Sequence, residues 1–377
     1  MPRYQVAVVG VGAAGSAAFY HLAARGISVI GIDQFEPGHG CGSSHGETRV
    51  IRTAYHEHPD YVPLLQRAIP LWKALEEEAG ESLYTPVGCL EVGPPDGEVI
   101  QGVLTSAKLH GLSVEQLTAK EIEERFPGFK VPDGMVGTYE REGGVLAVEP
   151  CIRAHARLGV KRGGVLWENT RVLGMSGEKG EPLTLDTGRG QVQAEQVIVS
   201  TGAWAGEWFP QLPVPLEIRR KPLVWFAAEK GAYGPKAGSP VFLYQVPQGL
   251  LYGFPAMEDG EVKVALHSGG DSYERPEDLD RNLMKEDSTL LAALVGEWLP
   301  SVNASEVVRG DVCMYTMTPD EHFLVGQSPE DYRVWMVAGL SGHGFKFSSV
   351  LGESLCQWVC DGESRLSLEV FNPQRFA

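Results

Sequence analysis

Gly10-Val11-Gly12-Ala13-Ala14-Gly15 constrains this chain more tightly than any other stretch of it. The six residues follow a short, mostly apolar run, Gln5 to Val9, and open into an Ala-rich segment of helical character. Gly10 permits a tight turn, Gly12 lets backbone approach a pyrophosphate, and Gly15 lets the helix pack closely on a sheet. The helix N-terminus then turns free N–H groups and a positive dipole end toward the phosphates. The next strand, Ser28 to Ile32, ends in Asp33, an acid placed to accept hydrogen bonds from a ribose diol. Together these predict a Rossmann-type unit holding a dinucleotide. The fingerprint does not distinguish FAD from NAD. A second strand running into glycine, Val197 to Gly202, favours FAD, because a long cofactor lying across a sheet needs a second backbone contact.

At 377 residues the chain exceeds what one hydrophobic core usually holds, so two domains are expected. Residues 60–79 read as a helix with Leu64, Leu65, Ala68, Leu71, Trp72 and Leu75 on its apolar stripe. Short strands and Pro/Gly turns fill 85–147 around a helix near 97–111. Another helix begins at Glu149-Pro150, where proline suits the first turn. Strands dominate 214–268, a helix is predicted over 277–299, and the tail returns to α/β character: a strand at Val334–Ala338, a Gly-rich loop, then a helix over about 345–360. The fold class expected is α/β, α+β overall, with each domain assembled from discontinuous segments.

Asp plus Glu outnumber Lys plus Arg, giving a net charge of −17 that repels phosphate backbones, so nucleic acid is not expected as a partner. No run approaches the roughly 18 apolar residues that a membrane span needs. The start lacks a basic region and a small-residue cleavage site, which gives a cytoplasmic expectation. The cysteines, Cys41, Cys89, Cys151, Cys313, Cys356 and Cys360, form no Cys-x-x-Cys pair, and neither a disulfide framework nor a metal site is expected.

Three segments carry candidate chemistry. In Glu261-Val262-Lys263-Val264-Ala265-Leu266-His267, alternation puts Val262, Val264 and Leu266 on one face and Lys263, Ala265 and His267 on the other. That second face is either a solvated strand surface or a cavity wall bearing a lysine and a histidine. Thr48-Arg49-Val50-Ile51-Arg52 supplies two guanidinium groups, suited to bidentate capture of carboxylates. The loop Gly339-Leu340-Ser341-Gly342-His343-Gly344-Phe345-Lys346 lets backbone approach a flat ligand and ends in a lysine, either a second carboxylate grip or a surface charge.

With these segments in view, the chain resembles the monomeric sarcosine oxidase and N-methyltryptophan oxidase family of FAD-dependent amine oxidases, and is similar also to peroxisomal sarcosine/pipecolate oxidase. The resemblance runs from Gln5 to about Phe376. It rests on Gly10–Gly15, on the run Gly42-Ser43-Ser44-His45-Gly46-Glu47 leading into Thr48–Arg52, and on Tyr252-Gly253-Phe254-Pro255. It rests further on Lys263 to His267, on Cys313-Met314-Tyr315-Thr316-Met317-Thr318-Pro319-Asp320-Glu321-His322-Phe323, and on Gly342 to Lys346. The resemblance implies a Rossmann-type FAD-binding domain over 1–84, 148–213 and 313–377. A substrate-binding domain on a mostly antiparallel sheet would span 85–147 and 214–312.

It also implies roles. FAD would be joined by a thioether at Cys313 and cradled by Gly10, Gly12, Ala13, Ala14, Gly15, Asp33, Ser43, Ser44, His45, Thr48, Arg49, Gly202, Gly342, Gly344, Phe345 and Lys346. Lys263 would activate O₂, with Arg49 close to the flavin face. Arg52 and Lys346 would grip the substrate carboxylate, His267 and Tyr315 would line the amine side, and Tyr252 would form an aromatic wall. Ser44 replaces a histidine of the family, as in the peroxisomal relatives. Leu243 stands where sarcosine oxidase has methionine, which bears on pocket size. The implied reaction is oxidation of a secondary amino acid, such as an N-methyl amino acid, to an imine that hydrolyses to amino acid and aldehyde, with O₂ reduced to H₂O₂. The partners are then an amino-acid substrate and O₂, on a monomer. Cyclic or sugar-derived secondary amino acids, or an electron acceptor other than O₂, are the alternatives.

Overall fold

The strand Arg3–Val9 forms the axis of an eight-stranded sheet. It pairs in parallel with Val29–Ile32 on one side and Gly190–Val199 on the other. Val165–Trp167 and Val334–Ala338 extend the parallel part. Val6, Ala7, Val8 and Val9 are all buried, as in a parallel strand covered on both faces. The structure is a computed structural model and describes residues 1–257 and 260–376.

The turn after this strand forms as its glycines demand. Gly10 has φ +85, and a Cβ there would lie 2.6 Å from the Ser200 carbonyl oxygen. A Cβ on Gly15 would run into the Gly10 carbonyl, so the helix Ala13–Ala24 sits directly on the crossover point of two strands. That helix packs between Val148–Lys161 and the last helix, Ser348–Asp361. Residues 345–347, read from the sequence as helix, form a separate 3₁₀ turn before it.

The second sheet has nine strands and is antiparallel except where Val241–Val246 lies parallel to Cys89–Gly93. Its two faces differ. Val224, Phe226, Phe242, Tyr244, Leu251, Val262 and Val264 pack under the helices Ala119–Arg125 and Lys285–Trp298 in one apolar core. The opposite face carries Leu223, Trp225, Ala265 and Cys313, with Tyr252 against them. Alternation over 262–266 is therefore as expected, and the second face is a buried wall: Lys263 is 2 % exposed. A Rossmann-type sheet with a parallel centre and antiparallel edges, joined to a mostly antiparallel sheet, agrees with the fold class the sequence indicates.

The helix expected over 277–299 begins only at Lys285; Pro276–Asp278 is a 3₁₀ turn. The buried Arg220 guanidinium explains the difference. It donates to the backbone oxygens of Asp280 and Asn282 and to Asp287, holding the intervening segment extended. A small three-stranded sheet, in which Gly144–Ala147 pairs with Thr48–Ile51 and Tyr84–Thr85, bridges the larger two in sequence. Among the described residues no helix is long and apolar enough to cross a membrane.

A Cβ on Gly352, inside the last helix, would stand 2.5 Å from Ala17 of the first helix. Gly352→Leu is expected to force the pair apart and lower stability by about 1–3 kcal/mol. Gly296→Ala, in a helix with room for the methyl, should instead hold or raise stability by up to about 1 kcal/mol. Thermal unfolding of both variants checks the contrast.

Candidate active site

A cavity of about 720 Å³ begins at Gly10, Gly12, Ala13 and Ala14, passes Asp33 and Gly202, and ends at Ser43, Ser44, Arg49, Tyr315, Gly342, Gly344 and Phe345. A Cβ on Gly12 would meet nothing within 4 Å, so the turn is bare toward the cavity, as a close-lying pyrophosphate requires. Asp33 does more than the sequence suggested. Its Oδ2 accepts from Val11 N at 2.6 Å and its Oδ1 from Phe35 N at 2.9 Å, so it fixes the turn. Each carboxylate oxygen has a further lone pair for a ribose hydroxyl. Burial raises this carboxyl above its ordinary range, against the two N–H bonds.

At the far end, Arg49 gathers the other expected residues. Its Nη2 donates to the Ser43 carbonyl at 3.1 Å and to Cys313 Sγ at 3.3 Å. His45, 2 % exposed, bonds Asp311 through Nδ1 at 2.7 Å. Burial works to lower this imidazole, but Asp311 and the Cys313 thiol together push it up to about 9. Burial likewise opposes a Cys313 thiolate, yet Arg49, His45 and Lys263 bring the thiol down to about 7. Cys313 lies behind the cavity wall, next to the wall residue Met314, at the Arg49 end.

Lys263 stands on the buried wall over Phe254, 4.6 Å from its centroid. Its Nζ donates to Gly46 O at 2.6 Å and to Thr48 O and Oγ1 at 3.0 Å. Burial and then Arg49 push its pKa well below the ordinary value. The three oxygens match an ammonium's three N–H groups, and the Thr48 hydroxyl can instead donate to the lone pair of a neutral amine, so both forms are satisfied here.

The sheet register sets up the rest. Glu91, Leu243, Tyr252 and Ala265 face one another across four adjacent strands and share one face. Ala265 lies between Lys263 and His267. His267 Nδ1 is 3.3 Å from the Tyr315 hydroxyl, and burial with the nearby His343 holds it down at about 3, hence neutral.

Arg52 and Lys346, far apart in sequence, flank the same ring: the guanidinium carbon is 4.5 Å and Nζ 5.1 Å from the Tyr55 centroid. Lys346 donates to the His343 carbonyl at 2.8 Å, and burial with Arg52 lowers it to about 7. Arg52 is already paired, at 2.9 Å to Glu57 and 3.0 Å to Glu91. Sequence reasoning missed Tyr55, His56, Glu57, Glu91 and Asp311. Only Glu91 left a signal, a charge between apolar residues in a strand, where alternation turns it away from the core. Lys346, expected both on the cofactor and on the substrate, lies beside Arg52 and not on the wall of the large cavity.

A family profile described as FAD dependent oxidoreductase matches residues 5–358. The chain is 37% identical over 378 residues to monomeric sarcosine oxidase of Bacillus sp. (strain B-0618), covering 99% of this chain and 96% of that one. It is 36% identical over 378 residues to N-methyl-L-tryptophan oxidase of Yersinia pestis (strain Pestoides F), covering 99% of both. Among solved structures it is similar to L-proline dehydrogenase from P. horikoshii, with a TM-score of 0.86 at 23% identity over 100% of this chain and 98% of that one. NikD, an amino acid oxidase of nikkomycin biosynthesis, gives 0.85 at 22% over 99% and 98%. These two likenesses show the fold. With its bare glycine turn, its long cavity and this match over nearly all its length, the chain belongs to the FAD dependent oxidoreductase family.

Proposed function

We propose that this protein oxidises a secondary amino acid, an N-methyl amino acid foremost, to an imine that hydrolyses to amino acid and aldehyde, with O₂ reduced to H₂O₂. The observation that carries the reading is the pair of cations, Arg52 and Lys346, on one aromatic ring beside the cavity's Arg49 end. Two cations so placed suit a small carboxylate. When bound, FAD supplies the chemistry that takes two electrons and a proton from the amine and gives the electrons to O₂.

The chain's own groups bind, orient and screen. Of the two acids on Arg52, Glu57 is 21% exposed and Glu91 4%, so Glu57 is the partner a substrate carboxylate displaces. Tyr252 and Leu243 wall the path between that grip and Ala265. Neutral His267 beside Tyr315 gives the amine an acceptor without adding positive charge, which favours the neutral amine that oxidation needs. Lys263, fixed by three oxygens and shielded from water, stabilises negative charge developing on O₂ far more than a solvated cation would. Cys313, with its thiol near 7 and Arg49 on its sulfur, is set to hold the flavin covalently. We take the enzyme to act as a cytoplasmic monomer.

Oxygen-electrode traces with sarcosine, larger N-methyl amino acids, pipecolate and proline test the reading. Uptake with peroxide formation supports it, and flavin bleaching without oxygen uptake would point to another acceptor. Lys263→Met should slow reoxidation about 10²–10³-fold while leaving flavin reduction by substrate nearly unchanged. Acid precipitation should leave the yellow colour in the pellet, and Cys313→Ser should release it to the supernatant. Lys346 carries its charge below about 7 and loses it above. Affinity for methoxyacetate, a carboxylate with no amine, should therefore fall by up to about tenfold per pH unit above that point, and Lys346→Met should flatten the profile.

A further inference from the structure

The strand Thr48–Ile51, which carries Arg49 and leads into Arg52, is short and exposed to disturbance. Among the described residues its one ladder partner is Gly144–Ala147. Both of its ends are nevertheless held, and by carboxylates. Before the strand, Glu149 Oε1 accepts from Gly46 N at 2.8 Å and from Glu47 N at 3.2 Å, and Oε2 accepts from Glu47 N at 3.2 Å. Gly46 has φ +85 and Glu47 φ +70, consecutive left-handed conformations that turn both N–H groups onto the acid. After the strand, Glu140 accepts from Thr53 N at 2.8 and 2.9 Å through its two oxygens, and from Ala54 N at 2.8 Å. Glu140 is 8% exposed, and neither acid makes an ion pair with Arg49 or Arg52.

The two acids come from one continuous piece of chain. Glu140 ends a strand of the antiparallel sheet, Gly144–Ala147 pairs with the arginine strand, and Glu149 sits in the first turn of the following helix. This piece grips the arginine strand at both ends and along its length. What lies at each end differs. The residues that Glu149 fixes include Gly46, whose carbonyl, with Thr48, holds Lys263. The residues that Glu140 fixes directly follow Arg52 and lead to Tyr55, the ring shared by Arg52 and Lys346.

We infer that Glu140 and Glu149 are positioning residues with separate duties: Glu140 sets the carboxylate grip at Arg52 and Tyr55, and Glu149 sets the oxygens that hold Lys263. The inference rests on the roles given to Arg52 and Lys263 under the proposed function. A glutamine at either position keeps the shape but replaces one accepting oxygen with a donor, which must then face a backbone N–H. The damage is local, so the two substitutions should strike different half-reactions.

The test uses flavin-loaded Glu140→Gln and Glu149→Gln, with Glu140→Asp and Glu149→Asp as charge-keeping variants should either glutamine form fail to fold. Amide hydrogen exchange, followed by mass spectrometry, reads geometry without activity. Glu140→Gln should speed exchange in the peptide over 52–56 alone, and Glu149→Gln in that over 44–48 alone. Rapid mixing reads the consequence. Glu140→Gln should raise the dissociation constants of substrate and methoxyacetate about tenfold or more, with O₂ reactivity within about twofold. Glu149→Gln should slow the O₂ reaction about tenfold or more and leave substrate binding within about twofold. The aspartate variants should lie between glutamine and parent in the same half-reaction. Equal losses in both half-reactions from either glutamine variant would overturn the assignment. So would no effect from either, while Arg52→Met and Lys263→Met still impair substrate binding and O₂ reaction respectively. If those two substitutions leave their own half-reactions unchanged, the proposed function itself falls, and the positioning roles fall with it.

Discussion

The antiparallel ladder between Glu217–Ala228 and Val302–Met317 sets the register on which the working end depends. It places Cys313 opposite Lys221 and Tyr315 opposite Arg219, so that the sulfur and the phenol project from the same face. On its other edge Glu217–Ala228 sets Trp225 against Lys263. A slip of one residue would turn Cys313 and Tyr315 to the opposite face and dismantle both the Arg49 cluster and the His267 contact. Lys221 reinforces the arrangement from that same face: its buried ammonium lies over the Tyr315 ring and donates to the carbonyls of His267, Ser268 and Gly269, closing the end of the lysine-bearing strand.

A protein of net charge −17 concentrates buried or half-buried cations in this region, and besides Lys221 it solvates them in two ways. Arg49, Lys263 and Lys346 are met by carbonyl and hydroxyl oxygens or by sulfur. Such dipoles satisfy the donors while leaving the positive charge in the field. Arg52 is met by two carboxylates, which cancel its charge until an anion takes the place of one of them. Positive potential is thus standing at Arg49 and Lys346 and latent at Arg52, which shares the Tyr55 ring with Lys346. The low polarisability of the surroundings makes that difference count.

The sequence alone revealed what is local or periodic. Gly10, Gly12 and Gly15 follow from steric rules inside one turn, and the shared face of Lys263, Ala265 and His267 follows from a period of two, while the burial of that face comes from the structure. The meeting of Arg52 and Lys346 at Tyr55 lay outside such reasoning, because nothing near either residue points to the other; the pairing of the two cations came only with the resemblance to a known family, and Tyr55 only with the structure. The carboxylates were harder still. Glu57, Glu140 and Glu149 look like any surface acid in a chain rich in them, Glu91 alone stands out between apolar strand residues, and the partners of all four are backbone groups or a guanidinium set by tertiary contacts. The helix misread over 277–284 has the same origin: local propensity there yields to one arginine, Arg220, reaching in from another strand.

The row of facing residues across the antiparallel sheet has an evolutionary consequence. Glu91 supports the guanidinium at one end of the row, and Ala265 abuts the lysine and histidine at the other. Leu243 and Tyr252 occupy the span between them and bond to neither group. The size of Leu243 can drift without disturbing the charges at either end, whereas Tyr252 shares a hydrogen bond with Tyr315 and packs on the cluster that holds Cys313. On the roles proposed above, substrate scope in such a scaffold can diversify by exchanging that spacer, while the charges at the two ends are inherited intact.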